Sequence, residues 1–371
     1  MELYIEKNEL INGLSHVQGI VEKRSTNPIL SNVLIVAKED GIALTATNTE
    51  VTYIGELKSN VTTPGSITVD GHHLFQIARS MPDNTIHMKV SAQSRVEISS
   101  GSAWFKMLGR PAEDYPPVTN FTEGSTIVLK SKDLKHMVDQ CSFSIASEDN
   151  RYGINGSHLE VVGGSDSPML RMVATDGHRL SYAGSHFTGD FVMPKRMLIP
   201  RKAMNELRKL CDVSDTDVKI SFGENGALVT MPKSRFFFRL IDGEFPEYRK
   251  VVPENNTKII TISKELITGA LKRVGLLASD RARPVRFSFE GNSLTISTNN
   301  IDIGESKEEI AIESSGGDLT LGFNARYFLD VLSVIKSDNI NLELGESVAA
   351  AIIRSPGDND GLFVIMPMRI D

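Results

Sequence analysis

Lys7-Asn8-Glu9-Leu10, Ser131-Lys132-Asp133-Leu134 and Ser263-Lys264-Glu265-Leu266 are three versions of one short pattern. In each version a carboxylate falls in the first turn of a predicted helix, where the helix dipole favours negative charge. Ser131 and Ser263 are good N-cap residues, whereas Lys7 is not. Apolar residues follow at helical spacing, so each stretch predicts the start of an amphipathic helix.

Three further landmarks follow each of these helices in the same order. An alternating strand ends in a short polar side chain that can turn the chain, at Thr47-Asn48, Thr175-Asp176 and Thr298-Asn299. A second amphipathic helix then runs into a strand over 70–90, 200–220 and 324–344, and a β-rich strand closes each copy at 104–108, 236–241 and 362–366. Corresponding positions lie about 125 to 130 residues apart, which is the size of a domain and not of a solenoid repeat.

The repeat predicts an α+β fold made three times, each copy with two helices packed on antiparallel sheets. Short alternating strands between Gly, Asn and Asp turns outnumber the helices, which favours antiparallel pairing. We expect tandem domains at 1–120, 126–252 and 258–371, separated where Pro, Asn, Thr and Glu cluster. A chain of 371 residues and 40.8 kDa is long enough for two or three cores.

Composition excludes several classes of protein. Apolar residues make up 40% and charged residues 23%, which excludes disorder and a coiled coil. No apolar run approaches the ~18 residues that a membrane span needs, and the first residues lack the pattern of a signal peptide. Cys141 and Cys211 are too few for a disulfide scaffold or a zinc site. We therefore expect a cytoplasmic protein with reduced, buried thiols, no cofactor and no membrane partner.

The net charge of −7 argues against a nucleic-acid partner, but the charges are unevenly placed. Lys and Arg outnumber Asp and Glu in every predicted helical window: 7–24, 72–81, 130–140, 200–211, 263–273 and 324–336. One interpretation is ordinary solvated helix faces. The other is a shared helical surface that faces a polyanion, and because no groove-reading or base-stacking motif is present, that surface would bind duplex DNA without reading its sequence.

A chain of three repeats has two different ends, so self-association would be head-to-tail and could close into a ring. Two copies would line the ring with twelve helices spaced about 9 Å apart, which gives a diameter near 35 Å. Subtracting one helix thickness leaves a hole of roughly 25 Å. B-DNA is roughly 20 Å across, so the geometry permits enclosure.

Four segments of the chain carry a resemblance to a known family. They are Pro28-Ile29-Leu30-Ser31-Asn32, Ala174-Thr175-Asp176-Gly177-His178-Arg179-Leu180, Asp242-Gly243-Glu244-Phe245-Pro246-Glu247-Tyr248-Arg249 and Val364-Ile365-Met366-Pro367-Met368-Arg369-Ile370. Together they closely resemble the beta subunit of bacterial DNA polymerase III, the sliding clamp family. The resemblance covers the whole chain in order.

The family implies a non-catalytic processivity factor, a head-to-tail homodimeric ring of six similar domains around duplex DNA. An ATP-driven clamp loader opens the ring. Partners are the polymerase III alpha subunit and other polymerases or repair proteins, which dock a short apolar motif in a cleft beside the last domain. The implied cleft residues are Ile154, Thr175, Gly177, His178, Arg179, Leu180, Pro246, Lys250, Val251, Val364, Met366, Pro367, Met368, Arg369 and Ile370. Methionines suit such a site because they adapt to several peptides, and Arg179 and Arg369 would hold polar ends or carbonyls.

The same resemblance implies DNA contacts at Arg24, His72, Tyr152, Arg201 and Lys202. It implies a subunit contact of Phe105 and Met107 against Leu276 and Leu277. This chain departs from better-known members of the family at His72, His73, Glu148 and Gly153, which indicates a weaker direct grip on DNA, and Asp371 adds a carboxylate beside the cleft.

Other interpretations of these residues remain open. Asp176 and His178 could serve acid–base catalysis, although no nucleophile motif or metal cluster accompanies them. Met366-Pro367-Met368 could be a strand end in a core, Tyr152 an ordinary loop residue, and 236–238 a buried strand. The rival function is a repeat scaffold that binds only proteins, which would leave the basic helices unexplained.

Overall fold

The computed structural model describes residues 1–22, 27–117, 121, 124–147, 152–163, 167–189, 197–212, 215–224, 226–278, 283–314, 317–345 and 349–369. Of Ala92, Tyr152 and Ser314 it describes the backbone alone. Within these residues, no helix combines the length and the apolar character needed to cross a membrane.

The order of elements repeats three times, as the sequence predicted: strand, helix, several strands, helix, several strands. The first repeat contains β1 (Glu2–Glu6), α1 (Lys7–Val17), β2 (Asn32–Lys38), β3 (Gly41–Thr47), β4 (Val51–Leu57), β5 (Asn60–Thr63), β6 (Gly65–Asp70), α2 (Gly71–Ser80), β7 (Thr85–Ser91), β8 (Arg95–Ser100) and β9 (Ala103–Leu108). The second contains β10 (Thr126–Lys130), α3 (Ser131–Cys141), β11 (Gly156–Val162), β12 (Met169–Thr175), β13 (Arg179–His186), β14 (Leu198–Pro200), α4 (Arg201–Leu210), β15 (Asp217–Phe222), β16 (Gly226–Met231) and β17 (Ser234–Arg239). The third contains β18 (Lys258–Ser263), α5 (Lys264–Val274), β19 (Pro284–Glu290), β20 (Ser293–Asn300), β21 (Gly304–Ala311), β22 (Glu313–Ser314), β23 (Leu319–Asn324), α6 (Ala325–Val334), β24 (Asn339–Leu344), β25 (Ala351–Arg354) and β26 (Gly361–Ile365).

Helix starts follow the capping chemistry of the sequence. The Ser263 side chain accepts a hydrogen bond from the amide of Leu266 and caps α5. Asp70 and Asn324 cap α2 and α6 in the same way. By contrast, α1 follows Glu6, whose side chain makes no capping bond, in agreement with the poor capping signal at Lys7.

The three repeats are distributed over two compact units. Unit 1 contains residues 1–132, 188–195 and 205–240, and unit 2 contains residues 133–187, 196–204 and 241–371. The central repeat therefore contributes to both units. Unit 1 carries the sheets β5-β1-β7-β8-β9 and β10-β15-β16-β17-β4-β3-β2-β6; unit 2 carries β14-β11-β12-β13-β26-β25-β24-β18-β22 and β21-β20-β19-β23.

Successive repeats are joined by one kind of antiparallel strand pair. In unit 1 the strand β4 of the first repeat pairs with β17 of the second. In unit 2 the strand β13 of the second repeat pairs with β26 of the third. Each large sheet thus combines strands of two successive repeats, four and four in unit 1 and four and five in unit 2, an arrangement that was not predicted from the sequence.

The register corrects one landmark of the predicted repeat. Thr47 pairs with Thr52, and Thr175 pairs with Leu180. Thr298 does not correspond to Thr47 and Thr175, because it lies on the core-facing side of β20, together with buried Leu294 and Ile296. The residue equivalent to Thr175 is Asn299, which pairs with Glu305 at the end of β20. The third copy is therefore one residue out of step with the sequence pattern.

The cores contain the apolar residues that the sequence assigned to them. Phe236, Phe237 and Phe238 of β17 are all buried, as an interior strand requires. Cys141 and Cys211 are buried free thiols. Burial raises the pKa of Cys141 to about 12, which keeps it protonated and unreactive.

Candidate functional site

A group of apolar side chains covers one face of the nine-stranded sheet of unit 2. We call this group the apolar bed; its members are Val173, Leu180, Tyr248, Ala350, Ile352, Leu362 and Val364. Strand register explains how it forms, since directly paired residues share a face of a sheet. Val364 pairs with Leu180 on one side and with Ile352 on the other. The hairpin of β25 and β26 and the distant strand β13 therefore form one continuous apolar surface.

Residues 244–252 fold over one side of the bed and contribute Tyr248 to it; we call them the covering segment. Its Phe245 and Val252 pack against the bed, and the Phe245 ring stacks on His158 with 5.3 Å between ring centroids. The covering segment also passes close to Gly153, where a Cβ atom would lie 2.0 Å from the carbonyl oxygen of Glu244. Gly153, noted in the sequence as a departure from the family, is thus the residue that permits this close approach.

A buried carboxylate fastens the covering segment to the sheet. The Tyr248 hydroxyl donates a hydrogen bond to Glu160 Oε1, and Arg249 Nη2 donates to Glu160 Oε2 at 2.7 Å. Burial raises the pKa of Tyr248, and the bond to Glu160 raises it further. Burial also lowers the pKa of His158, against the opposing effect of Glu160. This network could not be predicted from the sequence, because Glu160 and Tyr248 are 88 residues apart.

The edges of the apolar bed are exposed. Val251 retains 49% and Met366 retains 42% of its accessible surface. Around them, Gly177, His178, Pro246, Lys250 and Arg369 are exposed, and Pro367 and Met368 are half-buried. Of the remaining predicted cleft residues, Ile154, Thr175, Arg179, Leu180 and Val364 are buried, and Ile370 lies outside the described residues, as does Asp371. The result is a buried apolar floor with an accessible rim.

The turn between β12 and β13 is held by its own side chains. Asp176 Oδ1 accepts hydrogen bonds from the backbone amides of His178 and Arg179, each at 3.0 Å. Gly177 supplies the positive φ of 87° at the turn. The His178 ring stacks on Tyr327 instead of meeting the Asp176 carboxylate. These bonds give Asp176 a structural task and lend no support to acid–base catalysis.

Arg179 is embedded in unit 2. Its Nε donates to Asp176 Oδ2 at 3.0 Å, its Nη1 to Asp330 Oδ2 at 2.7 Å and its Nη2 to the carbonyl of Phe143 at 2.6 Å. The guanidinium also lies over the Tyr327 ring, 4.5 Å from its centroid. Arg179 therefore braces the rim of the bed, and the contact with a partner that the resemblance implies for it stays a prediction.

Unit 1 repeats the strand register of the bed but not its chemistry. Thr52 pairs with Phe237 there, as Leu180 pairs with Val364 in unit 2. The places of Val173, Leu180 and Leu362 are taken by Thr45, Thr52 and Arg235, respectively. Because two hydroxyls and a charge replace aliphatic groups, only unit 2 presents this apolar surface among the described residues.

Three of the five predicted DNA-contacting residues lie at helix starts: His72 in α2, and Arg201 and Lys202 in α4. His72 lies in the first turn of α2, where its Nδ1 is 2.6 Å from Gln18 Oε1, and the neighbouring His73 is exposed beside Asp70. Arg201 and Lys202 begin α4, and Arg201 is exposed. Arg24, Glu148 and the Tyr152 side chain lie outside what the structure describes.

Some of the basic side chains counted on the predicted helices hold the fold together and are bonded within the chain. Lys7 Nζ donates to the carbonyl of Met81 at 2.6 Å, and Lys264 Nζ donates to that of Ile335 at 2.9 Å. Each lysine thus joins the first helix of its repeat to the residue that follows the second helix. The number of basic groups available to a polyanion is smaller than the sequence count indicated.

The predicted subunit-contact residues lie near two sheet edges. Phe105 is 37% exposed and Met107 is half-buried in β9, at the edge of the five-stranded sheet. Leu276, 79% exposed, and half-buried Leu277 follow the C-terminal end of α5.

Comparisons with known proteins agree over the whole chain. Three family models of the DNA polymerase III beta subunit match this chain. The model of the N-terminal domain matches residues 1–119, that of the central domain residues 128–247 and that of the C-terminal domain residues 249–369. A beta sliding clamp from Pseudomonas aeruginosa is 33% identical and one from Escherichia coli 30% identical, each with full coverage of both chains. The crystal structure of a DnaN sliding clamp from Bartonella birtlesii bound to griselimycin is 34% identical, covers both chains completely and superimposes with a TM-score of 0.93.

Proposed function

The chain belongs to the DNA polymerase III beta subunit family, the bacterial beta sliding clamps, and from that membership we propose how it acts. It is a processivity factor: a head-to-tail homodimeric ring that encircles duplex DNA and tethers the replicative polymerase. The ring itself catalyses no reaction and needs no cofactor. It works in the cytoplasm, after a clamp loader has opened it and closed it around DNA.

One structural observation supports the proposed ring. The joint between successive repeats is made twice within the chain, by β4 with β17 and by β13 with β26. The equivalent strands at the two ends, β21 of the third repeat and β9 of the first, are edge strands in the described residues. A second copy supplies the missing partner for both edges, and two copies leave neither edge open.

The apolar bed and its rim are the docking site for partner proteins. A short apolar peptide would bury its side chains against the exposed Val251 and Met366 of the rim, above the buried apolar floor. A small groove of this kind supports micromolar affinity, about −8 kcal/mol. The occupants are the polymerase III alpha subunit, the clamp loader and other polymerases or repair proteins that carry such a motif.

DNA is held by enclosure more than by adhesion. The exposed Arg201 and its neighbour Lys202 at the start of α4, together with Arg24, His72 and Tyr152, contact phosphates and read no bases.

Retention on DNA of different topology tests the function. The protein is loaded onto nicked circular duplex DNA by a clamp loader with ATP, and its release is followed at moderate salt before and after the circle is cut once. We expect slow release from the circle and fast release from the linear product. Equal release rates from both would contradict enclosure and would favour the protein-binding scaffold.

A further inference from the structure

The five-stranded sheet of unit 1 has one buried face and one open face. Leu3, Ile86 and Ile98 are buried on the inner face, each at 0% exposure. Because side chains alternate along a strand, their neighbours in the sequence lie on the opposite face, which we call the outer face. The described side chains of the outer face are exposed or half-buried, so this face is open to a partner molecule.

Charged side chains cross the outer face in a single row of alternating sign. Glu2 of β1 pairs with Lys89 of β7, and Glu97 of β8 pairs with Lys106 of β9. Lys89 also pairs with Glu97, which completes the row. Lys89 Nζ lies 3.3 Å from Glu2 Oε2, and Lys106 Nζ lies 2.8 Å from Glu97 Oε1. The row therefore reads negative, positive, negative, positive from β1 to β9.

The charges of this row are fixed in place and in sign. Hydrogen bonds from His87 and Lys89 lower the pKa of Glu2, and the hydrogen bond from Lys106 lowers the pKa of Glu97. Both carboxylates are therefore ionised at neutral pH.

A second row beside the first carries two exposed aromatic rings. Tyr4 pairs with His87, His87 pairs with Ser99, and Ser99 pairs with Trp104. Tyr4 stacks on His87 with 4.5 Å between ring centroids, yet it remains 41% exposed, and Trp104 is 59% exposed. Pairing within the sheet explains the alternating charges but not these open rings. Tyr and Trp are enriched at protein interfaces, so the rings indicate a protein partner.

The order of the charges makes the outer face complementary to itself. A two-fold axis that runs along the strands, between β7 and β8, places β1 of one copy over β9 of another, and β7 over β8. Glu2 then lies opposite Lys106 of the second copy, and Lys89 lies opposite Glu97 of the second copy. An axis that runs across the strands would instead oppose like charges, so only one arrangement fits.

We propose that the outer face docks the outer face of a second copy about this axis. The same operation brings Tyr4 of each copy over Trp104 of the other, which covers both exposed rings with an aromatic pair. A carboxylate has two acceptor oxygens and an ammonium has three donors, so each charged group can keep its bond within the sheet while it makes one across the contact. The contact is separate from the proposed ring, which joins edge strands and leaves the outer face open.

The area of the outer face sets the strength of the contact. Four strands spaced about 4.8 Å apart, with about five residues each, cover roughly 300 Å². Two copies would bury about 600 Å², whereas a stable complex buries about 1,200 Å² or more. We therefore expect a transient association with a dissociation constant of about 100 µM.

Sedimentation velocity of the wild-type chain tests the association. Between about 10 µM and about 300 µM the weight-average mass should rise about 1.5-fold, and about 0.5 M salt should reverse the rise because exposed ion pairs are screened. Tyr4→Ala should raise the dissociation constant about threefold or more, because one ring of the aromatic pair is lost. A wild-type mass that does not change with concentration would overturn the proposal, whether the smallest particle is one copy or the proposed ring.

Charge reversal separates a contact between copies from an effect within one sheet. Lys89→Glu sets carboxylates against each other across the axis, and Glu97→Lys does the same with ammonium groups, so neither variant should associate alone. An equimolar mixture of the two should associate, because each variant then offers the charge that the other needs. Lys38→Glu, the same change at an exposed lysine of β2, is the control and should behave as the wild type. A mixture that associates no better than its components would refute the proposed axis.

Discussion

Arg179 Nη1 donates a hydrogen bond to Asp330 Oδ2 at 2.7 Å, which ties the start of β13 to helix α6. The same guanidinium holds Asp176 and the carbonyl of Phe143 while it is only 9% exposed. One side chain thereby fixes the turn at the rim of the apolar bed. Its removal would take a hydrogen-bond donor from the carboxylates of Asp176 and Asp330.

Arg179→Ala should destabilise the protein by about 3–5 kcal/mol, because it removes a buried guanidinium that is bonded to the half-buried carboxylates of Asp176 and Asp330 and to the carbonyl of Phe143. Urea denaturation measures the loss. Arg326→Ala is the control, since Arg326 lies 4.0 Å from the same Asp330 but its side chain is 70% exposed; its effect should stay below about 1 kcal/mol. Similar losses for the two variants would refute the bracing role of Arg179.

Met366→Asp should weaken the binding of a fluorescent partner peptide at least about tenfold, because the peptide would bury a carboxylate on apolar surface. Fluorescence anisotropy measures the affinity, and the dimer should persist. Leu266→Asp, a change at an equally exposed leucine on α5, is the control and should leave affinity unchanged. Removing residues 366–371 should abolish polymerase stimulation with the dimer intact. Unaltered peptide binding in both variants would disprove the docking site.

The stability of unit 2 should fall on acidification through His158. Its pKa is lowered in the folded chain, chiefly by burial, so the unfolded chain takes up the proton first. The contribution of His158 is therefore present above pH 6.5 and is lost as the pH falls below that value. His158→Phe keeps a ring against Phe245 and removes the titration.

Urea denaturation at pH 7.5 and pH 5.5 measures this effect. The variant should lose less stability between the two values than the wild type does. Part of the wild-type slope will remain, because burial lowers the pKa of His16 as well. His186→Gln, at an exposed histidine, should follow the wild type. A His158→Phe slope equal to that of the wild type would contradict the assignment.

Arg201→Ala should reduce adhesion to DNA without reducing retention. On linear duplex DNA the affinity should fall severalfold. The plot of the logarithm of the association constant against the logarithm of the salt concentration should become less steep by about 0.9, the value for one lost phosphate contact. On closed circles the residence time should not change. Lys38→Ala, at an exposed lysine of β2, is the control on both substrates. Faster loss of Arg201→Ala from circles would mean that retention depends on adhesion.

Local features of the fold were predictable from the sequence, and long-range ones were not. The caps at Ser263 and Asp70 and the apolar spacing of the helices act within a few residues, so the order of elements could be predicted from the sequence. The one-residue shift at Thr298 depends on which face of β20 meets the core, which the Thr-Asn signature does not reveal. The sheets that combine strands of two repeats depend on pairing between strands that are far apart in sequence, as in β13 with β26, and such pairing could not be predicted.

The candidate site also has features that were predictable from the sequence and features that were not. The segments around Thr175 and Val364 were identified by resemblance, and the structure brings Thr175, Leu180 and Val364 onto adjacent strands. The structural tasks of Arg179 and Glu160 could not be predicted, because their partners are up to 151 residues away. The predicted roles of Arg24 and Ile370 stay predictions.

Sheets shared between repeats also decide how the gene can be dissected. A fragment cut at the repeat boundaries would separate β4 from β17, or β13 from β26, and each piece would present bare strand edges to its neighbours in solution. Such fragments should precipitate or polymerise when expressed alone, so the smallest well-behaved piece is not the smallest repeated piece.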